Sequence, residues 1–255
     1  MKRFIILSIC WYITASCYSQ NYIAEYDSNL ETGVQGTSQF LLFNSNEWRY
    51  DTTDTTRLEI TITGGYMVDS QEESLSEDPI IAKQFNYRSL DKNYYLDEEM
   101  LYSDLSLQNK CVIKGELVKP EWTIVSDSVK TIEDYTCLMA KGHVRGRDYS
   151  VWFTPDIPVS AGPWKLWGLP GLIVNAQSDD KKVYFQMTSL KKTDTAIEEP
   201  MVGKTVTHEE FKPLFNDAFK KFSRSIRSVL SSGSETTTVD VKLTEFNHPD
   251  KSLLE

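Results

Sequence analysis

Alternation of apolar and polar residues at every second position dominates this chain. In "LEITIT", Leu58, Ile60 and Ile62 fall on one face and Glu59, Thr61 and Thr63 on the other, the pattern of a half-buried strand. The same period returns where Val183, Phe185 and Met187 alternate with Tyr184, Gln186 and Thr188, after a turn at Ser178-Asp179-Asp180. Between them lie shorter extended pieces, "NYYLDEEMLY", "CVIKGELV" and "EWTIVSDS". "DYTCLMAKGHV" and "RDYSVWFTP" flank Arg145-Gly146 and read as a hairpin, with the glycine taking positive φ. Gly64-Gly65 marks a further turn, Asp69 to Asp78 an acidic loop, "TTTVDVKLTEF" an edge strand and "NHPDKSLLE" a loose tail. Strand, turn, strand with no intervening long helix predicts an antiparallel sheet.

The period changes once. Thr207 followed by Glu210 is a capping-box pattern. From there Phe211, Leu214, Phe215, Ala218, Phe219, Phe222, Ile226, Val229 and Leu230 recur at three- and four-residue steps toward Gly233. This predicts one long amphipathic helix, interrupted or bent at Pro213 because proline lacks a backbone donor. Lys220, Lys221, Arg224 and Arg227 gather toward its end, where they complement the helix dipole. The predicted fold is therefore α+β and mainly β, a curved antiparallel sheet with a long C-terminal helix over its concave or open face.

Residues 1–19 follow neither pattern. Lys2 and Arg3 precede the apolar run Phe4 to Ile13, which is too short to span a bilayer comfortably, and small residues follow. This predicts a secretory signal peptide cut after Ser19, with a single domain over 20–255. A lipoprotein signal using Cys17 is the competing reading. Without residues 1–19 the chain loses Lys2 and Arg3 and no acid, so its net charge moves from −10 to −12. Such an acidic balance argues against nucleic acid as a partner. The mature chain has no further apolar segment of membrane-spanning length. It is expected in the periplasm or cell envelope, or secreted.

Export also bears on the cysteines. Cys111 and Cys137 are the pair left in the mature chain, and an oxidising compartment predicts a disulfide between them, with two buried thiols as the alternative. Closing the 25-residue loop between them would stabilise the fold by about 3 kcal/mol in the chain-entropy account.

Catalytic signatures are sparse. There is no G-x-S-x-G elbow and no phosphate-binding glycine loop, and His208-Glu209-Glu210 lacks the second histidine of a zinc helix. His143, His208 and His248 have no spacing that would converge them on a metal. The acidic runs "LDEEM" and "EESLSED" read as solvated loops. No catalytic residue, metal or cofactor is predicted.

What stands out is "GPWKLWGLPGLIV", from Gly162 to Val174. Gly162-Pro163 and Gly168 mark turns, and Leu169-Pro170-Gly171-Leu172 predicts a type II turn with Gly171 at positive φ. So constrained a segment would hold Trp164 and Trp167 in place, either as a plug in the sheet or as the wall of a pocket. "WFTPDIPVSAGPWKLWGLPGLIV", with "IEDYTCLMAKG" and "EWTI" upstream, resembles the defining segment of the GLPGLI family, exported proteins of Bacteroidetes. The namesake hexapeptide is Gly168 to Ile173. The resemblance implies a curved sheet similar to the half-barrel carriers that shuttle lipoproteins across the periplasm, and an association with TonB-dependent outer-membrane receptors. It implies no catalytic residues, and a fold-level likeness does not fix function.

The expected function is a non-catalytic binding or carrier protein for an apolar ligand. Trp164, Trp167 and Leu169 would sit at the mouth of the groove and Phe215, Phe219 and Phe222 on its floor. An accessory protein docking on an envelope receptor is the alternative.

Overall fold

A linker of five residues determines how the sheet bends. The computed structural model describes residues 20–28, 38–56, 80–102, 108–231, 250 and 252. The chain forms β1 (Asn21–Ser28), β2 (Ser38–Phe43), β3 (Glu47–Thr56), β4 (Ile80–Ser89), β5 (Tyr94–Tyr102) and β6 (Gln108–Glu116). It continues with β7 (Trp122–Ile132), β8 (Tyr135–Val144), β9 (Arg147–Thr154), β10 (Leu172–Ser178) and β11 (Tyr184–Thr193), and closes with β12 (Thr205–Val206) and α1 (His208–Ser231). All strands belong to one sheet in the order β12-β6-β5-β4-β3-β2-β1-β11-β10-β9-β8-β7. Two meanders, β1 to β6 and β7 to β11, join where β1 pairs antiparallel with β11, and among the described strands only β12 pairs parallel, along β6.

β6 and β7 therefore stand near opposite ends of the sheet, yet Glu116 and Trp122 are consecutive strand ends. Laid flat, that separation would be about 50 Å at strand spacing, whereas so short a linker reaches at most about 20 Å. The sheet must curl until its ends approach.

One face of this curved sheet is the core. Tyr26 on β1, Leu41 and Phe43 on β2 and Trp48 and Tyr50 on β3 are buried there with Val151, Phe153, Ile173, Phe185 and Met187 from the second meander. Tyr26 donates from its hydroxyl to the Ile173 carbonyl at 2.7 Å, tying β1 to β10 across the interior. The predicted alternation of Val183, Phe185 and Met187 is present, and all three are buried. The hairpin at Arg145-Gly146 is present as well, with φ of 51° and 77°, so both turn residues are left-handed as a type I′ turn requires.

The capping box also forms. Thr207 N donates to Glu210 Oε2 at 2.8 Å, and Glu210 N donates to Thr207 Oγ1 at 3.2 Å. Pro213 lies inside α1, and the last helical turn holds none of the predicted basic residues. The helix lies on β5 and β6, with Phe211 and Phe215 against Ile113.

The expected disulfide is absent: Cys111 and Cys137 are free thiols. Cys111 on β6 packs beneath α1 with the Phe211 and Phe215 cluster, whereas Cys137 on β8 is buried in the main core. They share no cluster, so neither side chain faces the other. Burial pushes both thiols up from their ordinary range. The predicted strand at 58–63, the Gly64-Gly65 turn, the acidic loop at 69–78, the strand at 236–246, residues 1–19 and His248 lie outside the described residues.

Candidate binding site

The segment between β9 and β10 folds onto the core face. Leu166 N donates to Pro163 O at 3.1 Å, Gly168 N to Ser160 O at 3.2 Å and Ile173 N to Ala161 O at 3.1 Å, so the segment is a self-bonded plug. Trp164 occupies the second position of the Pro163–Leu166 turn with φ of 53°. A bulky residue rarely adopts this left-handed conformation, which costs roughly 1–3 kcal/mol and persists only where the surroundings impose it.

Gly168 carries the other positive φ of the segment, 99°. Gly171 does not, which corrects the type II expectation. Glycine is needed there because a Cβ would stand 2.3 Å from the Thr154 carbonyl oxygen. A Cβ on Gly162 would stand 2.7 Å from the Leu166 carbonyl oxygen, so glycine there too permits a close approach of the backbone.

The strained turn delivers Lys165. Its Nζ is fully enclosed, 2.7 Å from Glu99 Oε1, 2.7 Å from Asp250 Oδ2 and 3.9 Å from Asp97 Oδ2, with the Trp164 ring centroid 5.2 Å away. Two further cations complete the cluster. Arg88 on β4 donates to Asp97 Oδ1 at 2.5 Å, and Arg145, at the β8–β9 turn, has Nε 3.9 Å from Asp250 Oδ2. Asn86 Nδ2 also donates to Asp97 Oδ1, at 2.9 Å. Both arginines lie over Tyr95, at 5.0 and 5.7 Å from its centroid.

Strand alternation explains the acids. Asp97 and Glu99 are two apart on β5, so both point to the core face, while Glu98 points outward to Lys110 at 2.8 Å. "LDEEM" is thus a strand, not the solvated loop expected. Nor is "NHPDKSLLE" wholly a loose tail, because Asp250 is fully buried against Lys165.

Charge and proton positions are mutually consistent here. Burial alone would raise Asp97 and Asp250, but the surrounding Arg88, Lys165 and Arg145 hold Asp97 below its usual value, and Lys165 with Arg145 does the same for Asp250. Burial opposes the Lys165 ammonium, and Asp250, Glu99 and Asp97 reverse that, so it stays charged. His208 is lowered by burial and by Arg145, which leaves a neutral imidazole. Its Nδ1 then accepts from Arg145 at 3.4 Å, Nε2–H faces Ser252 Oγ at 3.4 Å, and that hydroxyl donates to Asp250 Oδ1.

Beside this cluster lies a cavity of about 310 Å³. Glu116 at the end of β6 and residues 117–120 of the β6–β7 linker form one wall. Arg88, Tyr95, His143, Val144, Arg145, Lys165 and Trp167 form the rest. Asp97, Glu99 and Asp250 are not on the lining, which carries Arg88, Arg145, Lys165 and Lys119 and, as its one carboxylate, Glu116.

Of the aromatic residues predicted for a pocket, only Trp167 lines this space. It is 8% exposed, its centroid is 5.7 Å from that of Trp48, and its carbonyl accepts from Trp122 Nε1 at 2.8 Å. Trp164 and Leu169 are buried in the main core. Phe215 sits under α1 with Ile113, and Phe219 and Phe222 are buried on the same helix, their centroids 6.4 Å apart. His143 is exposed and bonded through Nδ1 to Asp148 at 2.8 Å. Among the described residues, no group of three or more His, Cys, Asp or Glu could hold a metal ion. No described helix is long and apolar enough to cross a membrane.

A protein family of unknown function, Porph_ging, matches residues 145–175, the stretch that holds Arg145, Lys165 and Trp167. No curated protein matches the chain. Two solved structures of PNGF-II, in the C2 and P21 space groups, are similar at TM-scores of 0.52 and 0.53 with 16% identity. Each alignment covers 78% of this chain but only 33% and 34% of theirs, so the chain spans about a third of their length and the likeness is one of fold.

Proposed function

We propose that the protein is a non-catalytic binding or carrier protein of the cell envelope whose cavity takes an amphiphilic anion. The supporting observation is the cavity lining, where four cationic residues, Arg88, Arg145, Lys165 and Lys119, outnumber the one carboxylate, Glu116, beside the apolar Trp167, Leu117 and Pro120. A space of about 310 Å³ is at the small end of ligand pockets, which combine an apolar wall with a few placed polar groups. An anionic head would lie on the arginine side and an apolar body along Trp167. The ligand is thus less purely apolar than the aromatic residues alone suggest.

In this reading Trp164 and Leu169 anchor the plug that holds Trp167. Phe211 and Phe215 hold α1 against the sheet, from which His208 reaches Arg145, and Phe219 and Phe222 are buried farther along the same helix. The curled sheet and the short family match support a GLPGLI-type exported protein, used in the manner of half-barrel envelope carriers.

Displacement of a dansylated fatty acid from the mature chain tests the reading. Laurate should compete about tenfold better than dodecanol, because only the acid finds charge-assisted partners. Absence of probe binding, or equal competition by acid and alcohol, overturns it.

A further inference from the structure

Tyr95, on the cavity lining, carries two guanidinium groups over its ring, Arg88 at 5.0 Å and Arg145 at 5.7 Å from the centroid. Its partner across the β5–β6 pair is Gly115, where a Cβ would stand 2.6 Å from Tyr95 Cε1, so the ring lies against the β6 backbone. Arg88 Nη1 donates to the Tyr87 carbonyl at 3.0 Å and to Asp97 Oδ1 at 2.5 Å, which uses both of its hydrogens. Nε and Nη2 have no partner among the described residues. The side chain is only 3% exposed and lines the cavity, so this edge, with two parallel N–H donors, is what Arg88 offers a ligand. A third cation comes from the β6–β7 linker. Lys119 is exposed, and its stem crosses the plug, since a Cβ on Gly168 would stand 3.1 Å from Lys119 Cγ.

We propose that Arg88, Arg145 and Lys119 form a clamp for a phosphoryl head group, so that the amphiphile taken by this cavity is a phosphate monoester. The inference rests on the amphiphile reading of the cavity and names its head group. The three cations come from three elements, β4, the β8–β9 turn and the β6–β7 linker, and meet on the lining of one cavity. A carboxylate has two oxygens in one plane. The fork of Arg88 would satisfy both and leave Arg145 and Lys119 without an acceptor. A phosphate monoester brings three terminal oxygens, two for the fork and a third for Arg145 and Lys119, and its double charge answers more than one cation. Lys165 is not part of the clamp, because its ammonium already meets Glu99 and Asp250. Glu116, the one acid of the lining, is exposed and can turn its carboxylate to water.

The test uses the chain of residues 20–255 and displacement of the dansylated fatty acid. Dodecyl phosphate should compete about tenfold better than laurate, because it alone engages all three cations. Arg88→Lys keeps the charge and loses the fork, so it should abolish that preference. If Arg88→Lys does not fold, Lys119→Gln at its exposed position serves, and should narrow the preference to about threefold or less. Inorganic phosphate should raise the wild-type thermal midpoint saturably where chloride at equal ionic strength does not, which separates binding of the phosphoryl group from binding of the chain attached to it. Laurate that matches or exceeds dodecyl phosphate overturns the clamp and leaves the amphiphile reading. A preference that survives in the folded variants overturns the assignment of these residues. A midpoint that responds to inorganic phosphate while neither amphiphile displaces the probe keeps the clamp and removes the amphiphile reading.

Discussion

Lys165 and Asp250 are 85 positions apart in the chain and 2.7 Å apart in the fold, both closed off from solvent. Lys165 is the one buried charged side chain of the plug, and the acids it meets come from β5 and from the C-terminal segment. Three parts of the chain distant in sequence therefore close on one ammonium. Such a contact is weak evidence of net stabilisation, because desolvating the ions offsets their attraction, but it makes the loss of one partner costly.

Lys165→Met removes that partner while keeping the length of the stem. Glu99 and Asp250 would remain as buried carboxylates facing each other, at a cost of about 3–5 kcal/mol. The urea midpoint should fall accordingly. A loss below about 1 kcal/mol, the range of solvent-exposed pairs, would show that the cluster is open to water.

Acidification should act in two stages. His208 is held below its ordinary 6.5, and Asp97 and Asp250 below 3.8. For each group the unfolded chain binds the proton more readily, so the stability it contributes is complete above the ordinary value and is lost as pH falls through and below it. Unfolding free energy should decline first below about pH 6.5 and again below about pH 4. His208→Asn should remove the first stage and leave the second. Lys165 is shifted upward, so its contribution is intact below 10.5 and is lost only on the alkaline side. A profile that is flat between pH 7 and 5 in the wild type would contradict the role given to His208.

The free thiols make a simple chemical prediction. A denatured chain of residues 20–255 should titrate two thiols, and a reductant should leave its thermal midpoint unchanged, because no bridge constrains the unfolded state. Zero thiols, with a midpoint that drops on reduction, would restore the bridge.

Local rules made part of this fold legible in the sequence. The Thr207–Glu210 cap, the Arg145-Gly146 hairpin and the inward face of Val183, Phe185 and Met187 depend on neighbours a few residues away, and the structure shows each of them. The charged cluster is hidden in the sequence because strand alternation sorts charged residues between faces as it does apolar ones, without saying which face is buried. Asp97 and Glu99 are as regular in period as Leu58 and Ile60, but carboxylates in a row suggest solvent. Lys165 between Trp164 and Trp167 was the available signal, since a cation inside an apolar plug requires buried acids. Which acids it met could not be read locally, for they come from another meander and from the C-terminal segment. The disulfide failed for the same reason: compartment and loop length say nothing of which cluster each side chain enters.

Gly171→Ala probes the plug without touching its charges. The added Cβ would lie 2.3 Å from the Thr154 carbonyl oxygen and 2.7 Å from its carbon, both backbone atoms, so no side chain can swing aside. Either the end of β9 or the start of β10 must shift, and overpacking of this kind costs about 1–3 kcal/mol. The displacement would propagate to Trp167 and Lys165, which the same plug holds in place through the Gly168–Ser160 and Ile173–Ala161 backbone bonds. The variant should lose dansyl fatty acid binding more steeply than it loses stability, because the cavity wall moves before the core opens. Full stability with unaltered binding would mean that β9 and β10 yield freely, and that glycine at this position has no steric role.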